Sequence, residues 1–139
     1  MSGNSLDMVI GAGSAIGHAL IERWSREGSR PVVAVARSEA SLAAVGAPGV
    51  QTQHCDYSEA ALATFAAQLQ EQFSELTRLV ICNGVLQGEG YRPERALNQL
   101  TTSAMQQVFE VNTFLPMRVL ASLAPVLKRS TAPRIAVLS

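Results

Sequence analysis

The chain has 139 residues, 47% of them hydrophobic and 16% charged, and its eleven basic and eleven acidic residues balance to zero net charge. That length suits one globular domain and is too short for two, and the composition is that of neither a disordered nor a fibrous chain. A neutral balance gives no bulk attraction to nucleic acid or to an anionic membrane. No apolar run approaches the roughly 20 residues of a membrane span, and the start, MSGNSLD, lacks the basic and apolar regions of a secretion signal. The two cysteines, Cys55 and Cys82, sit in or beside apolar strand-like segments and give no sign of an oxidising compartment, so the expected location is the cytoplasm.

Along the chain, strand-like runs alternate with segments of helical period. Met8 to Ile10 reads as a buried strand; Ile16, Ala19, Leu20 and Trp24 then recur at spacings of three and four, an amphipathic helix with Gly28 as its C-cap. Pro31 to Arg37 is a second strand, continuously apolar and so expected to be covered on both faces. A short helix over Glu39 to Val45 leads through the turn residues Gly46, Pro48 and Gly49 to a third strand at Val50 to Thr52. Ser58 caps a helix whose stripe is Leu62, Phe65, Leu69, Phe73 and Leu76. Leu76 to Gly84 is a fourth strand, followed by a glycine-rich loop over Gln87 to Tyr91. Ser103 and Gln106 form a capping box for a long helical stretch, with Met105, Val108, Phe109, Leu115, Val119, Leu120 and Leu123 inward. Arg134 to Ser139 reads as a buried fifth strand.

Strict alternation, with right-handed crossovers, predicts an open α/β fold: a Rossmann-like doubly wound parallel sheet in three layers. Ligands of such sheets bind at the carboxyl ends of the strands. There the first strand runs into Gly11-Ala12-Gly13-Ser14-Ala15-Ile16-Gly17 and a helix. Glycines permit a tight turn and close backbone approach, and a helix N-terminus favours a phosphate; an ordinary glycine-rich turn would carry the same letters.

The spacing G-x-G-x-x-x-G resembles the T-G-x-x-x-G-x-G loop of the short-chain dehydrogenase/reductase family, with Ile10 in place of the threonine and Ala15 in place of the middle glycine. Three later segments resemble the family's motifs in the same order. They are Asp56-Tyr57 after strand three, Cys82-Asn83-Gly84 after strand four, and Glu110-Val111-Asn112 in the long helix; Arg134 to Ser139 resembles the strand leading to the catalytic serine. The resemblance implies an NAD(P)-binding Rossmann domain over residues 1–139, the N-terminal part of a longer oxidoreductase. It also implies hydride transfer to or from a small carbonyl or alcohol substrate, and a homodimer or homotetramer. Gly11, Gly13, Ser14, Ala15, Ile16, Gly17, Asp56, Tyr57, Asn83 and Gly84 would then meet the cofactor. Asn112 would serve the catalytic relay, and Ser139 would be the catalytic serine or the position just before it.

Charge bears on the cofactor. An acidic residue about 20 positions past the loop normally meets the ribose hydroxyls of NAD. Here the second strand ends at Arg37-Ser38, and a guanidinium suits the 2′-phosphate of NADP(H), unless Arg37 is only a solvated loop residue. Pro116 stands four residues after Asn112 and has no N–H to give its carbonyl. Either the helix kinks there, freeing that carbonyl for a water, or Pro116 begins a new helix capped by Asn112.

The family's proton donor is a tyrosine with a lysine four residues on. The sequence has one lysine, Lys128, preceded at minus four by Ala124, so no Tyr-x-x-x-Lys occurs; Tyr91 with Arg95 is no substitute, because arginine does not trade protons at neutral pH. These 139 residues alone are therefore expected to be inactive. His18 reads as a solvated helix residue, His54 and Cys55 are too isolated to form a metal site, and no serine, histidine and acid arrangement suggests hydrolysis. The alternatives are a non-catalytic nucleotide-binding or regulatory module and, ranked lower for lack of an acid after strand two, an S-adenosylmethionine-dependent methyltransferase.

Overall fold

The computed structural model describes residues 4–83 and 96–138. Its strands are β1 (Ser5–Ile10), β2 (Val32–Ala36), β3 (Val50–His54), β4 (Glu75–Ile81) and β5 (Arg134–Val137), and its helices α1 (Ala15–Glu27), α2 (Glu39–Ala43), α3 (Glu59–Gln72), α4 (Thr102–Phe109) and α5 (Leu115–Arg129). The strands pair in parallel in the order β3-β2-β1-β4-β5. Chain order reverses direction between β1 and β4, which opens a crevice beyond the carboxyl ends of the central strands.

Two apolar cores lie on opposite faces of this sheet. Leu6, Met8 and Ile10 turn to one face and pack with Leu62, Phe65 and Leu69 of α3 and Leu115, Val119 and Leu123 of α5. Val9, Ala34 and Ala36 turn to the other, against Ile21 and Trp24 of α1 and Leu42 of α2. The alternation along β1 is the pleat of a strand covered on both sides, and β2 is buried at every position, as its continuous apolar run requires.

Three side-chain expectations are corrected. On α1 the inward line is Gly17, Ile21 and Trp24, while Ile16 is 57% exposed and Ala19 also faces outward. Gly17 lies so near β1 that a Cβ there would stand 3.3 Å from Val9 Cγ1. On α4, Thr101 and not Ser103 is the N-cap, accepting from Ala104 N–H at 3.1 Å. Only Ala104 is buried there, and Met105 and Phe109 face outward. Finally, β5 is exposed along its length: it pairs with β4 along one edge only, and none of the described helices covers it.

Between α4 and α5 the helix does not break. Glu110–Phe114 forms a π turn, closed where Leu115 N–H bonds to the Glu110 carbonyl five residues back, and Pro116 lies buried in the first turn of α5. The missing N–H of Pro116 is thus met by a change of helical register, and Asn112 sits inside the turn and does not cap a new helix.

Where β1 meets β4 the register slips, so that Asp7 lies opposite Arg78. The fully buried Asp7 carboxylate accepts from Arg78 at 2.6 Å and from Arg30 at 3.2 Å, and the Arg78 guanidinium lies 4.3 Å from the Trp24 ring centre and 2.9 Å from Glu27. This cluster closes the end of the sheet opposite the crevice.

Candidate functional site

The crevice is built from the turn after β1. Gly11 has φ +82°, a conformation natural to glycine, and its N–H and that of Ala12 both donate to the Val35 carbonyl at 2.9 Å, bending the loop over the end of β2. Ser14 caps α1, its hydroxyl accepting from Gly17 N–H at 3.0 Å. A Cβ at Gly17 would stand 2.6 Å from the Gly11 carbonyl oxygen, and one at Gly13 would stand 2.6 Å from Ser41 Oγ. Gly17 is therefore required by packing against the loop backbone, while a methyl at Gly13 would press on the Ser41 side chain of α2.

The resulting cleft has a volume of about 310 Å³. Gly11, Gly13 and Ser14 form one wall, Ala36, Arg37, Ser38 and Ser41 a second, and Tyr57, Cys82, Asn83 and Val111 the remainder. Ser38 caps α2 by accepting from Ser41 N–H at 3.3 Å. Tyr57 is buried with φ +63°, its hydroxyl donating to the Val35 carbonyl at 3.3 Å, and burial pushes its pKa up, so it is a neutral phenol. Burial likewise raises the Cys82 thiol.

Of the residues picked out in the sequence, the fold brings Gly11, Gly13, Ser14, Arg37, Ser38, Tyr57 and Asn83 to one cleft. Ala15 and Ile16 lie exposed in the first turn of α1 beside it, and Gly17 lies beneath the loop. Asp56 is outside the lining: its carboxylate accepts from Ser58 N–H at 2.9 Å, a bond that holds its pKa below the usual carboxylate value. Asn112 is half-buried, next to the lining residue Val111. Gly84, Ser139, the loop over Gln87 to Tyr91 and the Tyr91/Arg95 pair lie outside the described residues. Sequence reasoning missed Ala36, Ser41, Cys82 and Val111 as lining residues. A signal existed for Ser41, three positions past the cap Ser38.

The cleft can be tested against a dinucleotide. Asn83 Oδ1 is buried and has no hydrogen-bond donor among the described residues, an orphaned acceptor that suits a hydroxyl. The α1 N-terminus is capped by a neutral serine and has no acid in its first turn, as an anion site needs. No carboxylate is among the described lining residues. No cluster of His, Cys, Asp or Glu that could hold a metal occurs among the described residues, and no helix among them is long and apolar enough to cross a membrane.

A parallel sheet of this order, with a glycine turn at its switch point, defines a Rossmann-like doubly wound α/β fold. The family model for short chain dehydrogenase matches residues 7–139, and the chain belongs to that family, whose members bind nicotinamide cofactors. Among solved structures, a short-chain dehydrogenase from Pseudomonas syringae is 26% identical with a TM-score of 0.81, the match covering 94% of this chain and 55% of that one. Actinorhodin polyketide ketoreductase, solved as a point variant with NADPH, is 25% identical with a TM-score of 0.78, covering 96% and 52%. A short-chain dehydrogenase/reductase from Burkholderia xenovorans is 21% identical with a TM-score of 0.80, covering 96% and 55%. No curated protein matches the sequence. The chain spans about half the length of these solved relatives. Family membership sets aside the methyltransferase alternative.

Proposed function

We propose that the protein is an NADP(H)-dependent oxidoreductase acting on a small carbonyl or alcohol. The observation that carries the reading is the wall where Arg37, Ser38 and Ser41 stand together, facing a glycine turn, with no carboxylate among the described lining residues. A guanidinium flanked by hydroxyls matches a phosphate dianion and would leave the bare ribose diol of NAD(H) without an acceptor.

Bound in this cleft, the nicotinamide cofactor supplies or accepts the hydride. The chain's own residues do the rest. Gly11 and Gly13 let the backbone approach, Ser14 and the N–H groups of α1 receive the pyrophosphate, and Asn83 Oδ1 accepts from a ribose hydroxyl. Tyr57 borders the adenine, the Asp56 carboxylate standing outside the lining on Ser58 N–H, and Asn112, in its π turn, holds a water of the proton relay. The serine, at or just past Ser139, polarises the substrate carbonyl, and the tyrosine and lysine of proton transfer come from chain beyond residue 139. Residues 1–139 on their own bind dinucleotide without turnover, since they contain no Tyr-x-x-x-Lys. The exposed apolar side chains Phe109, Phe114 and Met117, on the helical run that carries Asn112, favour a homodimer or homotetramer. The free thiols Cys55 and Cys82 suit the reducing cytoplasm.

Titration of the protein with NADPH and NADH tests the reading. The wild-type chain should bind NADPH about tenfold tighter, the low end for a charged hydrogen-bonded pair because Arg37 is exposed, and Arg37→Asp should abolish the difference. Equal affinities, unchanged by Arg37→Asp, refute the preference. NADPH binding by the full protein without turnover of any carbonyl favours the regulatory module.

A further inference from the structure

The positive φ of Tyr57 and the π turn at Glu110–Phe114 are two irregular pieces of backbone, far apart in sequence, that each place a residue in the wall of the cleft. One side chain touches both. Arg118, in the first turn of α5, donates from Nε to the Tyr57 main-chain carbonyl at 3.3 Å and pairs through Nη2 with Glu110 at 2.5 Å. We propose that Arg118 is a positioning residue for the cofactor cleft, holding the Tyr57 wall and the Val111 wall at a fixed separation; this rests on the reading of the cleft as the dinucleotide site.

The helix geometry shows why the contact exists. In an unbroken α-helix, residues eight apart are rotated by roughly 80° after two full turns, so Glu110 and Arg118 would point to different sides. A turn closed by a bond five residues back holds one residue more than an α-turn, which reduces the effective spacing to that of residues seven apart, within about 20° of alignment. The same register change that accommodates Pro116 thus brings Glu110 beneath the Arg118 side chain, which leans toward the helix N-terminus as helical side chains do. At the other end, a tyrosine in the left-handed region is costly and persists only where its surroundings over-determine it. Tyr57 is held by its N–H to Cys55 Sγ at 3.4 Å, by its hydroxyl on Val35, and by Arg118 on its carbonyl. Removing Arg118 releases one of these three restraints and the ion pair of the π turn together.

Arg129, at the far end of α5, supplies a matched control. Its guanidinium donates to the main-chain carbonyls of Ser74 at 2.8 Å, Gln70 at 3.1 Å and Phe73, the same kind of contact away from the cleft. The test measures the NADPH dissociation constant and the melting temperature of the full protein as wild type, Arg118→Ala, Arg118→Lys, Glu110→Gln and Arg129→Ala. Arg118→Ala should weaken NADPH binding about tenfold, the loss of a charged hydrogen bond. Glu110→Gln should weaken it by less, and Arg118→Lys, which keeps the charge at Glu110, should recover part of the affinity. Arg129→Ala should lower the melting temperature and leave the dissociation constant unchanged. Unchanged NADPH affinity in Arg118→Ala, or an equal loss in Arg129→Ala, overturns the inference alone. Failure of the wild-type protein to bind either dinucleotide overturns the reading of the cleft and the inference with it.

Discussion

Gly17→Ala probes the loop where its packing is tightest. The added methyl would stand 2.6 Å from the Gly11 carbonyl oxygen, 2.9 Å from Ser14 Oγ and 3.3 Å from Val9 Cγ1, where ordinary contact begins near 3.4 Å. The first of these is backbone, tied to Ser14 N–H at 3.2 Å, so it cannot swing away as a flexible side chain would. Overpacking of this kind costs about 2 kcal/mol. Displacing Ser14 forfeits the N-cap, about 1 kcal/mol, and the better helix propensity of alanine returns at most about 1 kcal/mol. The net loss is about 2 kcal/mol, or roughly 6 °C in melting temperature for a chain of this size. Urea unfolding followed by circular dichroism measures it, with Gly46→Ala as the control, because a methyl there meets nothing within 4 Å. On the proposed reading of the cleft, NADPH affinity should fall at least about tenfold in Gly17→Ala, since the loop assigned to the phosphate would have moved. A stability change below about 0.5 kcal/mol together with unchanged NADPH affinity would refute the packing account of this glycine.

Two further outcomes follow from groups outside the loop. Asp7→Asn leaves two guanidinium groups without their buried carboxylate. That loss costs about 3 to 5 kcal/mol in a fully buried pair, but Arg78 and Arg30 are 22% and 27% exposed and Arg78 keeps Glu27, so about 2 kcal/mol is expected in urea unfolding. Dinucleotide affinity should not change, because Asp7 lies about 13 Å back along β1 from the turn; a change in affinity with no loss of stability would contradict this. The Cys82 thiol, raised by burial, carries less thiolate at any given pH than an open cysteine. Its alkylation by iodoacetamide should therefore rise at higher pH than that of a free cysteine, and saturating NADPH should protect it, because Cys82 lines the cleft. Mass spectrometry of the modified peptide reads both, and alkylation indifferent to NADPH would count against the site.

Much of the site was legible because its devices are local. The glycine turn, the cap Ser58, and Arg37 just past β2 are each set by a few neighbouring residues, so spacing alone displays them. The phase of α4 was not legible. Met105 and Phe109 fit an inward stripe by their period, but which side of a helix meets the sheet depends on the partner surface, and there Ala104 turns inward.

The sequence by itself determined the order of elements, the place of a cleft at the carboxyl ends of the strands, and the absence of a Tyr-x-x-x-Lys from these 139 residues. Pattern and composition are sufficient for these, because each follows from periodicity or from chemistry within one segment. Tertiary structure alone decided that Ser41 fills the space left by Gly13, that a slipped register sets Asp7 against Arg78, that a π turn before Pro116 brings Glu110 to Arg118, and that Arg118 reaches the Tyr57 carbonyl. Each joins residues across different elements, and such contacts exist only once packing has fixed the register and rotation of every strand and helix.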